Sequence, residues 1–264
     1  MSRDGGGDRT TIDAFLGGAL QLKQPKSGYR AGVDAVLLAA AAALYSGKPA
    51  TLLDIGSGVG TAGLCVARRV AEAEVVVFER EPTYVDLAHQ NIAQNGLEDR
   101  VRAVCGDIAM SNDALATLGL MPDSFDHVIA NPPFHTEGHG HAAPDQLKAR
   151  AHAMPADGLE AWGRFAARMA APGGTVTMIH KAEALGQFLA ALDRRFGAMK
   201  VLPIHARAAE PAIRVIIQGV KGNRAPLQLL PPFILHNDDN SFSAAAAMIL
   251  RCGGSLPLES PLVA

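Results

Sequence analysis

The sequence predicts an α/β fold: an open, mostly parallel seven-stranded sheet with an antiparallel last strand and helices on both faces. Three observations predict it. From Thr51 onward, short β-rich runs alternate with helical stretches, the order that builds a parallel sheet. The β-rich runs number seven, at residues 51–55, 74–80, 101–106, 125–130, 175–180, 201–205 and 213–220. The last two are separated only by residues 206–212, too few for a crossover helix, so they are expected to pair antiparallel.

Punctuation between the strands agrees with this count. Pro82 opens a helix that runs to the Asn95-Gly96 stop, and Asp157 with Glu160 forms a capping box for a helix ending at Pro172-Gly173-Gly174. Residues 15–45 read as a small extended segment followed by a helix, and 227–236 as one more extended run. Residues 1–11 are Gly-rich and polar, without the basic start and apolar stretch of a secretory signal, and are expected to be a loose tail. Residues 12–50 then form an N-terminal extension packing on a catalytic domain at 51–264. The polar loop 135–152 directly follows the fourth strand, and long loops in compact domains are often functional.

Composition sets the class. With 264 residues, 48% of them apolar, the chain can bury one enzyme-sized core. The most apolar stretch, 35–44, is far below the roughly 18 to 20 residues that span a bilayer, so no membrane association is expected. Basic and acidic residues nearly balance at 24 and 26, so nucleic-acid binding would have to come from local patches. Cys65, Cys105 and Cys252 lack the spacing of a zinc site and the even count of a disulfide framework, which points to a reducing cytoplasm.

The chemistry lies at the strand ends. Leu52-Leu53-Asp54-Ile55-Gly56-Ser57-Gly58-Val59-Gly60 is a buried strand breaking into a Gly-rich turn before a helix, where a ligand can approach the backbone closely. Such turns also serve nicotinamide and flavin cofactors. Glu79, ending the second strand, can accept hydrogen bonds from both ribose hydroxyls of a nucleoside. Asp107, ending the third, can accept from an adenine amine while Ile108 covers the ring. The fourth strand ends in Asn131-Pro132-Pro133-Phe134, and the proline pair forces the chain rigidly out of the sheet. An exocyclic base amine is a poor nucleophile, because its lone pair is delocalised into the ring. If the Asn131 side-chain oxygen and the Pro132 carbonyl accept its two protons, the lone pair is aimed at a methyl donor, while Phe134 stacks on the base.

This order of motifs resembles a class I S-adenosylmethionine-dependent methyltransferase of the amino-methylating group, with its Rossmann-like fold. The segment Gln24-Pro25-Lys26-Ser27-Gly28-Tyr29-Arg30-Ala31-Gly32-Val33-Asp34 narrows the match to the bacterial family that methylates N6 of the adenine beside the anticodon of a valine tRNA. The resemblance implies that Asp54, Gly56, Ser57, Gly58, Glu79, Asp107 and Ile108 hold S-adenosyl-L-methionine, with Tyr29 and Arg30 closing over it. It further implies that Asn131, Pro132 and Phe134 present the amine, and that the partner is RNA, tRNA foremost, with no metal. Asp34 reads as a helix cap.

Other readings compete. An Asn-Pro-Pro-Phe-His run also resembles ribosomal-RNA guanine N2-methyltransferases, and protein glutamine N5-methyltransferases use a similar motif. A non-catalytic RNA-binding or assembly factor would keep the fold without turnover. His135, His139 and His141 sit in a Gly-rich loop with nothing rigid to fix a metal, and His180 and His205 read as structural residues. Lys23, Lys26, Lys148, Arg150, Lys221 and Arg224 are the positive positions expected to touch phosphate.

Overall fold

The computed structural model describes residues 10–27, 30–42, 50–133, 135–136, 153–154, 158–256 and 258. It opens with an antiparallel hairpin, β1 (Thr10–Phe15) against β2 (Leu20–Pro25), followed by helix α1 (Val33–Ala41). Thr10 and Thr11, expected in the loose tail, are paired with Pro25 and Gln24. The alternation then begins: β3 (Ala50–Ile55), α2 (Thr61–Arg69), β4 (Ala73–Glu79), α3 (Pro82–Gln94), β5 (Val101–Cys105), α4 (Asn112–Thr117) and β6 (Phe125–Ala130). A short parallel pair, β7 (His135–Thr136) with β8 (Ala153–Met154), precedes α5 (Leu159–Met169) and β9 (Ala170–Lys181). The remainder is α6 (Leu185–Leu192), β10 (Phe196–His205), β11 (Ala212–Lys221), β12 (Gln228–Leu229), β13 (Phe233–Ile234) and α7 (Ala244–Cys252).

The main sheet runs β12-β10-β11-β9-β6-β3-β4-β5, with β13 also paired to β10. All seven expected strands are present and form its body. The sheet has nine strands because the single extended run expected at 227–236 supplies two short ones, both parallel to β10. β11 lies between β9 and β10 and is antiparallel to both.

Side chains alternate across the sheet with the period of two that a strand imposes. Leu52, Val75, Val77 and Ile216 join the core under α1, α2, α3 and α7, whereas Leu53, Val76, Phe78, Val215 and Ile217 join the core under α4, α5 and α6. The N-terminal hairpin is fastened to α3 by asparagine side chains: Lys23 N–H donates to Asn91 Oδ1 at 2.7 Å and Gln21 N–H to Asn95 Oδ1 at 3.0 Å.

Pro82 stands in the first turn of α3, and Gly96 follows its end at φ +63°. α5 departs from expectation. Its N-cap is Gly158 without a side-chain hydrogen bond, and Glu160 instead pairs with Arg195; Asp157 lies outside the described residues. The helix stops at Met169, short of Pro172, because Ala170 already pairs with Phe125 in the sheet. Helix α7 was not expected, although Ser243 caps it by accepting from Ala246 N–H at 3.1 Å.

A buried polar chain crosses the sheet. Gln218 Nε2 donates to Thr177 Oγ1 and to Ala41 O, both at 3.0 Å, and Thr177 Oγ1 lies 2.9 Å from His127 Nε2. Burial pushes the His127 imidazole from 6.5 down to about 3, only slightly offset by Asp126. The unfolded chain therefore takes up a proton below pH 6.5 that the folded chain refuses, and stability falls as pH drops from 6.5 towards 3. Each unit of that interval costs about 1.4 kcal/mol. His127→Gln is expected to flatten this dependence, removing about 2 kcal/mol of the loss between pH 6.5 and pH 5. Urea titrations at the two pH values measure it, and equal slopes in both proteins would remove His127 as the source.

Candidate active site

Strand register assembles the site. Ile55 of β3 stands beside Phe78 of β4 and Ala130 of β6, all three strands being parallel. The next residues, Gly56, Glu79 and Asn131, therefore leave the sheet side by side, with neighbouring strands about 4.8 Å apart. On the far side of β4, Glu79 pairs with Cys105, which puts Asp107 two residues beyond the sheet end. On the far side of β6, Ala130 pairs with Met178, two residues before His180.

The turn after β3 is anchored by Gly56 and Ser57, whose N–H groups donate to Phe78 O at 2.8 and 3.1 Å. Gly56 has φ +64°, and a Cβ there would stand 2.4 Å from Trp162 Cη2, so both backbone and space demand glycine. Gly58, also left-handed, donates its N–H to Glu79 Oε2 at 2.9 Å, while Glu81 N–H donates to Oε1 at 2.9 Å. Each carboxylate oxygen is thus oriented and keeps a second acceptor direction. Burial raises the Glu79 pKa, opposed by the hydrogen bonds from Glu81 and Gly58.

Asp54 sits beneath the turn at 2% exposure and accepts Gly63 N–H at 2.8 Å. Burial, opposed by that bond and reinforced by Glu79, pushes its pKa up to about 7. It ties the start of α2 to β3, so its influence on a ligand runs through the turn. Ser57 Oγ and Thr61 Oγ1 are buried with no hydrogen-bond partner among the described residues. A backbone open to close approach, an oriented carboxylate and two buried hydroxyls fit a polar nucleoside cofactor.

Asp107 is fixed by accepting Ala109 N–H at 2.8 Å. With Ile108 it lines a cleft of about 390 Å³ whose other walls include Ala161, Phe165, Arg80, Arg164 and Arg168. Phe165 stacks on Phe78 with ring centres 5.5 Å apart, and Arg168 lies over Phe165 while donating to Met110 O and Ile108 O. Sequence reasoning missed these walls. α5 follows Asp107 by some fifty residues, and only the crossover between β6 and β9 brings its Phe165 against Phe78 of β4.

Asn131 and Pro133 are half-buried and Pro132 is buried. His180 Nε2 lies 3.4 Å from Pro133 O, and its ring packs on Phe188 at 5.1 Å. Burial lowers the His180 pKa, opposed by the contact with Pro133 O. Phe134, Tyr29, His139, His141, Lys148 and Arg150, together with the side chain of His135, lie outside the described residues.

Several expected residues have other engagements. Arg30 is held within the hairpin by Asp13 at 2.6 Å, Thr11 at 2.8 Å and Pro25 O at 3.1 Å. Asp34 is in the first turn of α1 rather than at its cap, which is Gly32, and pairs with Arg214 at 2.8 Å. Lys221 pairs with Asp123 and donates to Ala170 O, and Lys23 Nζ donates to Gln90 at 3.1 Å. His205 Nδ1 contacts Glu210 O at 2.6 Å. Among the described residues no group of three His, Cys, Asp or Glu side chains is placed to hold a metal, and no helix is long and apolar enough to cross a membrane.

Comparison with known proteins identifies the family. The methyltransferase small domain model matches residues 33–207. A tRNA1(Val) (adenine(37)-N6)-methyltransferase of Shewanella putrefaciens is 33% identical over 200 residues, covering 75% of this chain and 74% of that one. Its counterpart in Porphyromonas gingivalis is 31% identical over 169 residues, 63% of this chain and 64% of that one. The crystal structure of a predicted O-methyltransferase from Agrobacterium tumefaciens is 27% identical with a TM-score of 0.71, covering 85% of this chain and 98% of that one. M. jannaschii TYW2 in complex with AdoMet shares the fold at a TM-score of 0.52 and 15% identity, over 81% of this chain and 87% of that one. The chain belongs to the methyltransferase small domain family and is an S-adenosylmethionine-dependent N-methyltransferase.

Proposed function

We propose that this protein methylates the N6 amine of an adenine in tRNA, beside the anticodon. One observation supports the reading: the register sets Asn131 beside Gly56 at the end of the neighbouring strand, with Glu79 one strand further on. The relatives named as tRNA1(Val) adenine-N6-methyltransferases supply the target.

In this reading Glu79 holds the ribose, Asp107 and Ile108 hold the adenine, Gly56, Ser57 and Gly58 follow the amino-acid end, and Asp54 braces the turn. S-adenosylmethionine supplies an electrophilic methyl group. Asn131 Oδ1 and Pro132 O accept the two protons of the target amine, holding the nitrogen nearly tetrahedral so that its lone pair leaves conjugation with the ring, and stabilising the positive charge that develops on nitrogen. The nitrogen that receives the methyl group then releases its extra proton to solvent. Two acceptors suit an amine, which has two protons to place, and not a hydroxyl, which has one. Pro133, held by His180, keeps the motif from swinging away. Arg80, Arg164 and Arg168 give the cleft a local positive character that the chain, at formal net charge −2, lacks overall. A tRNA substrate supports a cytoplasmic location.

Incubation with radiolabelled S-adenosylmethionine and total RNA lacking the modification, followed by nucleoside mass spectrometry, tests the target. Label in N6-methyladenosine from tRNA is the expected result. Label in N2-methylguanosine from ribosomal RNA, or in protein glutamine, would replace this target with another.

A further inference from the structure

We infer that Trp162 forms a wall of the cofactor pocket and that its indole N–H donates to the carboxylate at the amino-acid end of bound S-adenosylmethionine. The inference rests on the assignment of the Gly-rich turn to that cofactor and adds a binding residue that no motif marks.

Trp162 belongs to α5, far along the chain from the turn, yet its six-membered ring lies directly against Gly56. A Cβ at Gly56 would stand 2.4 Å from Cη2 and 3.0 Å from Cζ3. The side chain is 7% exposed, and Nε1 is buried with no hydrogen-bond partner among the described residues. Buried indole N–H groups ordinarily find an acceptor, because one left unpaired forfeits the hydrogen bond it made to water. A residue serving only to pack would avoid that loss as phenylalanine, which the same helix uses at Phe165. Its neighbours on the helix, Ala161 and Phe165, line the cleft shared with Asp107 and Ile108.

Two more buried donors without partners among the described residues, Ser57 Oγ and Thr61 Oγ1, belong to the turn and to the first residue of α2. The ribose hydroxyls and the adenine amine of the cofactor are donors, matched by the acceptors Glu79 and Asp107. Its carboxylate is the acceptor-only group, with about four lone-pair directions, and three buried donors on or against one turn match it.

Trp162 is the single tryptophan of the chain, so intrinsic emission reports on this contact alone. The probes are S-adenosylhomocysteine, which keeps the carboxylate, and adenosine, which lacks it. Saturable change in emission with S-adenosylhomocysteine and little with adenosine is expected. By calorimetry, Trp162→Phe is expected to bind S-adenosylhomocysteine about tenfold more weakly and adenosine unchanged. Unaltered affinity in the variant, or equal weakening for both probes, overturns the inference. If Trp162→Phe does not fold, wild-type emission decides: a response common to both probes, or absent from both while calorimetry shows binding, overturns it. Absence of S-adenosylhomocysteine binding to the wild type in calorimetry would instead overturn the cofactor assignment beneath it.

Discussion

Asn131→Ala is expected to bind S-adenosylmethionine as the wild type does while losing on the order of a thousandfold in kcat. The side chain stands at the exit of β6, half-buried, where its loss opens no apolar cavity. What disappears is one of two acceptors for the target amine. The Pro132 carbonyl alone holds one proton and leaves the nitrogen free to rotate back into conjugation with its ring. Because the missing bond matters most as charge develops on nitrogen, the defect falls on kcat rather than on cofactor affinity. Asn131→Asp keeps an acceptor and is expected to recover much of the rate. Single-turnover kinetics with cofactor affinity measured in parallel decide the matter: a near-wild-type rate would remove Asn131 from the mechanism, and a loss confined to affinity would reassign it to the cofactor pocket.

Glu79→Ala is expected to act the other way, weakening S-adenosylhomocysteine binding about a hundredfold with a smaller effect on kcat at saturation. Gly58 and Glu81 hold the two oxygens in place with 2.9 Å bonds, so the carboxylate is oriented before any ligand arrives. Two hydrogen bonds from ribose hydroxyls to a charged acceptor are worth about 1.5 kcal/mol each at the low end. Their joint loss gives the hundredfold figure. Removing Glu79 also removes the repulsion that helps keep the Asp54 pKa near 7. Calorimetry at two pH values separates these effects, and unchanged affinity would mean that the ribose is held elsewhere.

Much of this was legible in the sequence, and what was not shares a physical cause. Strands buried on both faces are near-continuous apolar runs, as in Leu52, Leu53 and Ile55, and turn residues bound them, so their existence followed from composition. Glu79, Asp107 and Asn131 were identified because a parallel sheet delivers successive strand ends to one side. Partnerships across the fold had no local signature. Arg214 takes Asp34 from 180 positions away, and Arg69 reaches Gly253 O across 184. Trp162 gave no sign of meeting Gly56. The end of α5 was misplaced because pairing of Ala170 with Phe125 overrides the Pro172-Gly173-Gly174 stop. α7 escaped notice although Ser243 and Gly253 bracket it, since its alanine-rich first turn lacks the apolar contrast that marks an amphipathic helix.

The place of β11 between β9 and β10 dictates how a nascent chain must finish. Synthesis delivers β9 first and β10 second, and β9 can pair with β6 at once, yet its other native neighbour exists only when the strand ending at Lys221 has emerged. Until then the Val176, Met178 and Ile179 edge stays open, and β10, parallel to β9 in the finished sheet, is available as a wrong neighbour. Formation of the β10–β11 hairpin and its docking as a unit avoids that trap, so vectorial synthesis makes this hairpin the closing step for the body of the sheet.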